Sequence, residues 1–197
     1  MATSSLDIQD LLSKPRIRAP LIKILFEVYH ACRPFHHLKD PHYPSIKRSV
    51  VLLFFVALRW YFFLKRLIGD KKMLNTPLSR KEKFALFIGI LGHLLIIWAQ
   101  NATIKHEKET ENEDEIEINY QGPYKYIRHP HHLGKWTSEG FVAIYQNNKI
   151  SMAISVLTAI FTINRANKEE LTMQQEIGSE YDNYKQRVPN KFIYGLY

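Results

Sequence analysis

Cysteine is almost missing: Cys32 is the only one in 197 residues. An internal disulfide is therefore excluded, and so is a metal cluster built on thiolates. Motifs for reading nucleic acid are lacking. The opening Met1-Ala2-Thr3-Ser4-Ser5-Leu6-Asp7 has no basic n-region, so no cleavable signal peptide is expected. The closing Tyr194-Gly195-Leu196-Tyr197 is not a prenylation box. The apolar runs are modest. The first, residues 49–64, covers about 24 Å as a helix, a little less than the ~30 Å of a hydrocarbon core.

What the chain does have is segregation. Mean hydropathy is −0.25, a value that would suit a soluble protein, yet apolar blocks alternate with very polar ones. The net charge of +8 suits anionic headgroups. Membrane lipid is favoured over nucleic acid as partner, because the cations flank apolar runs. The length allows one domain.

Residues 1–20 are polar and broken by Pro15 and Pro20, which predicts a flexible or surface-lying arm. Residues 21–33 suit an amphipathic helix, too short and too charged to span, at the membrane interface. Residues 34–48 form a Pro- and His-rich connector. His36, His37 and His42 lack a helical i, i+4 pair, so loop histidines are preferred there to a metal site. The apolar run 49–64 follows, bracketed by Lys47-Arg48 and Lys65-Arg66, and spans if its flanks snorkel. Residues 65–83 form a basic loop ending in a capping signature, Ser79-Arg80-Lys81-Glu82. The run Phe84 to Ala99 is the second span, with Gly89 and Gly92 allowing close helix approach. His93 lies mid-run, where a functional group or a neutral histidine bonding a neighbouring helix are the two readings. Residues 105–117 are a charge run, expected to be solvated.

Gly122 to Gly134 holds the densest chemistry: Tyr124, Lys125, Tyr126, Arg128, His129, His131 and His132, with Gly122-Pro123 and His129-Pro130 restricting the backbone. It predicts an ordered loop opening into a helix near Leu133. Leu133 to Tyr145 is a short helix, Asn147-Asn148-Lys149 turns the chain, and Ile150 to Glu176 returns. Arg165 and Glu169 are four apart and share a helix face. Two antiparallel helices joined by a tight turn end where they began. The hairpin thus brings Arg165 and Glu169 back to Arg128 and His129. The tail from Ile177 is amphipathic and aromatic, suited to covering the site or resting on headgroups. The expected fold is all-α: an integral membrane helical bundle with two main hydrophobic helices, a short C-terminal helical hairpin and interfacial helices.

The ordered pattern G-x-Y-x-x-x-R-H-P-x-x-x-G (122–134), R-x-x-x-E-E-L (165–171), G-x-x-Y-x-x-Y-x-x-x-V-P (178–189) resembles the isoprenylcysteine carboxyl methyltransferase and phospholipid methyltransferase family of membrane enzymes. Residues 1–48 read as an N-terminal arm and interfacial helix and 49–104 as transmembrane helices and basic loop, and the resemblance implies a methyltransferase-like catalytic region over 105–197. It implies S-adenosylmethionine as cofactor and a prenylated or lipid acceptor. The cofactor contacts it implies are Tyr124, His129, Pro130, His131, His132, the segment Ile116, Glu117, Ile118 and Asn119, and Glu169 as the acidic one. Arg165 and Arg128 are the expected catalytic residues. Arg165 meets the acceptor, where a guanidinium fork suits a carboxylate. Arg128 supports it together with Glu170. The resemblance places the site on the cytosolic side of a multi-pass protein, in the endoplasmic reticulum of a eukaryote or the inner membrane of a bacterium.

No glycine-rich nucleotide fingerprint is present, in keeping with a fold that has no Rossmann sheet. Two positions depart from the family pattern, Ile116 where many relatives have histidine and His132 where many have tyrosine. Histidine at 132 still offers a ring and a donor, and adds pH sensitivity. No metal is expected: adjacent His131 and His132 point differently, and no thiolate is near. Besides carboxyl O-methyl transfer to a prenylated cysteine, the open readings are methylation of a phospholipid amine, a scaffold without catalysis, and a reductase of the sterol-reductase type.

Overall fold

The computed structural model describes residues 8–18, 21, 23, 25, 54, 57, 58, 60–62, 64, 65, 69, 70, 75–109 and 118–193. Among these the ordered elements are all helical. They are α1 (Ile8–Ser13), α2 (Arg80–Glu109), a 3-10 turn (Gly122–Lys125), α3 (Pro130–Gln146), α4 (Lys149–Ile177) and α5 (Ser179–Arg187). The fold is all-α, as expected. Among the described residues two helical segments are long and apolar enough to cross a membrane, Arg80–His106 and Lys149–Ile177.

The start of α2 is set by the capping box read in the sequence. The Ser79 amide donates to Glu82 Oε2 at 2.7 Å, and the Glu82 amide donates to Ser79 Oγ at 3.3 Å. Two orphan amides are satisfied reciprocally. Glu82 also receives both terminal nitrogens of Arg16, whose Nε donates to the Thr76 carbonyl at 3.1 Å.

The described part of the expected arm is thus anchored to the bundle through Arg16 and Ile17. Residues 15–18 are helical, and Ile17 is buried with Trp60, Ala85, Phe141, Val142 and Tyr145. The Tyr145 hydroxyl donates to the Arg16 carbonyl at 2.9 Å. The apolar Ile17, set between two arginines, gains more from this core than a polar arm gains from water. Of the proposed interfacial helix only positions 21, 23 and 25 are described. Lys23 is buried, its Nζ 3.8 Å from Glu139 and 3.4 Å from Ser138 Oγ on α3. The connector at 34–48 lies outside the described residues, as does most of the run 49–64.

The tightest packing is between α2 and α3, and glycine makes it possible. A Cβ on Gly92 would sit 2.2 Å from Thr137 Oγ1 and 2.6 Å from the Gly134 carbonyl. One on Gly134 would sit 2.7 Å from the Gly92 carbonyl, and one on Gly89 would meet the Phe141 ring at 2.5 Å. The backbones approach where no side chain intervenes, the geometry that small residues give membrane helices. His93, beside Gly92, is buried.

Helix α3 begins at Pro130, three residues before the predicted start at Leu133. Pro130 holds the first helical position, where its fixed φ fits and its missing N–H is not needed. His131 and His132 therefore sit on the first turn of the helix, not in the loop. The helix ends at Asn147, left-handed at φ 44°, and Asn148 caps α4 by accepting the Ile150 amide at 2.9 Å.

The hairpin is real, but its arms are unequal, 17 and 29 residues. Its second arm, read as Ile150 to Glu176 within a hairpin called short, runs Lys149–Ile177 and is one of the two candidate spans among the described residues. No breaker interrupts the chain after the apolar stretch, because Lys168, Glu169, Glu170, Gln174 and Gln175 are all good helix formers. Met152, Val156, Leu157, Ile160, Phe161 and Ile163 are exposed on α4, and Phe84, Phe87, Leu91, Leu94 and Trp98 on α2, surfaces suited to hydrocarbon.

The glycine contact makes a direct prediction for thermal unfolding in detergent. Gly134→Ala should destabilise by about 1–3 kcal/mol through overpacking. Gly140→Ala, where a Cβ meets nothing within 4 Å, should be neutral or stabilising by up to about 1 kcal/mol from helix propensity.

Candidate functional site

The polar end of α4 meets the N-terminus of α3 because the hairpin is antiparallel. Glu170 collects three donors there. Arg128 Nε donates to Oε1 at 2.9 Å, His129 Nε2 lies 3.1 Å from the same oxygen, and Lys191 Nζ donates to Oε2 at 2.8 Å. Glu169, one residue earlier, faces a different set. Arg165 Nε donates to its Oε1 at 2.6 Å, while its Oε2 lies 3.0 Å from His132 Nε2 and 3.6 Å from His129 Nδ1. The His129 and His132 rings are stacked, 5.4 Å apart and 22° from parallel. One helical turn, His129-Pro130-His131-His132, puts positions 129 and 132 side by side and turns 131 away.

The chain beyond α5 closes over this cluster. The Arg128 amide donates to the Asn190 carbonyl and the His129 amide to the Lys191 carbonyl, both at 3.0 Å. Arg128 Nη1 donates to the carbonyls of Val188 and Pro189 at 2.7 and 2.6 Å. Phe192 packs on Trp136 at 4.4 Å between centroids and on His129 at 5.6 Å. Beneath the tail, Ile118, Tyr181, Tyr184 and Val188 form an apolar cluster, with the Tyr184 hydroxyl donating to the Tyr124 carbonyl at 3.0 Å. Burial pushes the Tyr181 and Tyr184 hydroxyls above the ordinary tyrosine range, so both stay neutral.

Of the residues named from the sequence, His129, His132, Arg165 and Glu169 converge directly, with Arg128 alongside through Glu170. Arg128 spends its donors on Glu170 and the tail, so its place is that of a clamp. Pro130 is buried at the start of α3. His131 stands edge-on to His132 at 6.0 Å and contributes no atom to the His129–His132–Glu169 set. Tyr124 faces α2, its hydroxyl 3.2 Å from Thr103 Oγ1. Ile118 belongs to the apolar cluster, and Asn119 shapes the turn by accepting the Gln121 amide at 2.8 Å. Ile116 and Glu117 lie outside the described residues. Sequence reasoning missed Trp136, Lys191 and Phe192, and also Asn167, whose Oδ1 accepts from Lys191 Nζ at 2.7 Å. Only the aromatic, amphipathic tail signalled that something would cover the site.

The two histidines differ electrically. For His129, burial disfavours the cation, but Glu169 and Glu170 outweigh it and hold the ring above the ordinary histidine range. For His132, burial also disfavours the cation, Glu169 only partly offsets it, and the ring ends below that range. Arg165 is the accessible cation of the group, with 36% of its side chain exposed.

These helices and this charged, tail-covered end define an all-α protein of the membrane type. Residues 85–175 match the model of the isoprenylcysteine carboxyl methyltransferase (ICMT) family. The match takes in α3, the hairpin turn and every site residue from Tyr124 to Glu170, and stops short of the tail. No curated protein matches the chain.

The split between the histidines is measurable by ring NMR titration of the metal-free protein, with His129→Gln and His132→Gln for assignment. His129 should titrate above about 6.5 and His132 below it. The stability that His129 adds is fully present below its unfolded value and is lost as pH rises through its raised folded value. His132 has the opposite sign: folding stability is lost as pH falls from its unfolded value through its lowered folded value.

Proposed function

We propose that this chain is an S-adenosylmethionine-dependent methyltransferase whose acceptor is the carboxylate of a prenylated cysteine. The observation that carries the reading is the side-by-side placement of Glu169 and Arg165 at the polar end of an apolar helix. One anion and one accessible cation are offered within 2.6 Å of each other.

The donor set fits this cofactor. Glu169 offers a carboxylate to a cationic centre, and Tyr124, Trp136, His132 and Phe192 offer ring faces near it. When bound, S-adenosylmethionine supplies a methyl group on a sulfonium sulfur. The chain's own residues then align and desolvate. Arg165 holds the acceptor carboxylate by its guanidinium fork, and that carboxylate is already ionised, so no general base is required. Phe192 and the tail shield the reacting groups from water. Arg128 and Glu170 keep the tail in place. The exposed apolar faces of α2 and α4 let a lipid-anchored acceptor approach laterally from the bilayer. On this reading the protein is multi-pass and its site faces the cytosol, in the endoplasmic reticulum or a bacterial inner membrane.

Binding of S-adenosylmethionine to lipid-reconstituted protein tests the cofactor. Glu169→Ala should weaken it by at least about tenfold, the loss of one charge-assisted contact. No binding by folded wild type would overturn the reading. Methyl transfer tests the acceptor. Arg165→Ala should lower kcat/KM on a prenylcysteine carboxylate by roughly 10- to 100-fold, and spare transfer to a phospholipid amine. Equal losses on both acceptors would remove the proposed role of Arg165.

A further inference from the structure

We infer that His129, His132 and Glu169 form a binding site for a single first-row transition-metal ion of the zinc class. Their three ligand atoms lie within 4.8 Å of one another. Glu169 Oε2 is 3.0 Å from His132 Nε2 and 3.6 Å from His129 Nδ1. Two ligands bonded to one tetrahedral zinc ion at about 2.0–2.2 Å stand roughly 3.3–3.5 Å apart. The two carboxylate–imidazole spacings need only a few tenths of an ångström of adjustment, and the two imidazole nitrogens, within 4.8 Å of each other, close on the ion by side-chain rotation. Two imidazoles and one carboxylate form a donor set that suits zinc, and three protein ligands leave a fourth position open.

The surroundings of the three ligands argue further for a built site. A metal-ligating histidine ordinarily gives its other ring nitrogen to a carboxylate or carbonyl, which fixes tautomer and orientation. His129 does so: Nδ1 faces Glu169, and Nε2 lies 3.1 Å from Glu170 Oε1. Glu170 is itself held by Arg128 and Lys191. The ligating carboxylate has its own outer partner, because Arg165 Nε holds Glu169 Oε1 at 2.6 Å and leaves Oε2 turned to the imidazoles. The stacked rings of His129 and His132 are oriented in advance.

The metal was set aside in the sequence for a sound local reason, since His131 and His132 diverge. The structure assembles a different trio, in which His131 has no part and the carboxylate comes from the other arm of the hairpin. This inference stands on that geometry and not on the methyl-transfer reading. If both hold, the ion and the cationic end of the cofactor compete for Glu169, and the ion acts as an inhibitor.

The experiment is binding of Co2+, read by its visible absorption, and of Zn2+, read by competition. It uses chelator-stripped, lipid-reconstituted full-length protein with no S-adenosylmethionine present. Wild type and His131→Ala should each bind one ion per chain with equal affinity. His132→Ala should weaken binding by more than about 100-fold, and Glu170→Gln, which removes no ligand but weakens the outer partner of His129, by roughly 10- to 100-fold. Circular dichroism establishes that each variant is folded, and His132→Gln replaces any that is not. No stoichiometric binding by wild type would overturn the site. Binding unchanged in folded His132→Ala or His132→Gln, or lost equally in His131→Ala, would overturn it too. Because the cofactor is absent throughout, a failure here leaves the methyltransferase reading untouched, and a failure of that reading leaves this one intact.

Discussion

Two consecutive carboxylates on one helix face a problem of repulsion, and this site is organised around its solution. Glu169 and Glu170 stand side by side near the polar end of α4, partly withdrawn from water. Each is compensated by its own set of donors: Arg165, His132 and His129 for the first, Arg128, Lys191 and His129 for the second. His129 bridges the two, one ring nitrogen toward each. These donors come from α3, from α4 itself and from the tail, so neutralising the pair also ties the three segments together. Removing either carboxylate would leave cations facing one another with little solvent to screen them.

That electrostatic knot sits on a packing constraint made of glycine. Helices α2 and α3 touch backbone to backbone at Gly92 and Gly134, with Gly89 seating the Phe141 ring, which fixes where α3 starts relative to α2 and so where His129 and His132 stand. In an apolar solvent, close contact of this kind replaces the hydrophobic effect as a source of helix association. The other faces of α2 and α4 are left apolar and exposed. One molecule therefore combines a surface for lipid with a charged recess at one end, and the ICMT family match covers the segment where the two meet.

Much of this was legible in the residues. The Ser79–Glu82 capping box, the glycines of the second apolar run, the Asn147-Asn148 turn and the return of Glu169 to His129 follow from short-range rules of capping, spacing and hairpin length. What failed to show was long-range. Nothing local in residues 1–20 announces that Ile17 joins a core with Trp60 and Phe141, or that Arg16 pairs with Glu82 from 66 positions away. The extent of α4 was legible too, because helix propensity continues through the polar residues after Ile163.

By itself the sequence determined the helical class, the alternation of lipid-suited and polar segments, and which side chains carry chemistry, because periodicity and residue type act over a few positions. The tertiary structure alone decided the pairing within that list. It stacked His129 on His132, made Arg128 a clamp for the tail, brought in Lys191 and Phe192, and gave the two adjacent glutamates different partners. Those outcomes depend on the rotation of α3 against α4 and on a tail folding back across both. Such relations are set by packing between distant segments, and no stretch of sequence records them locally.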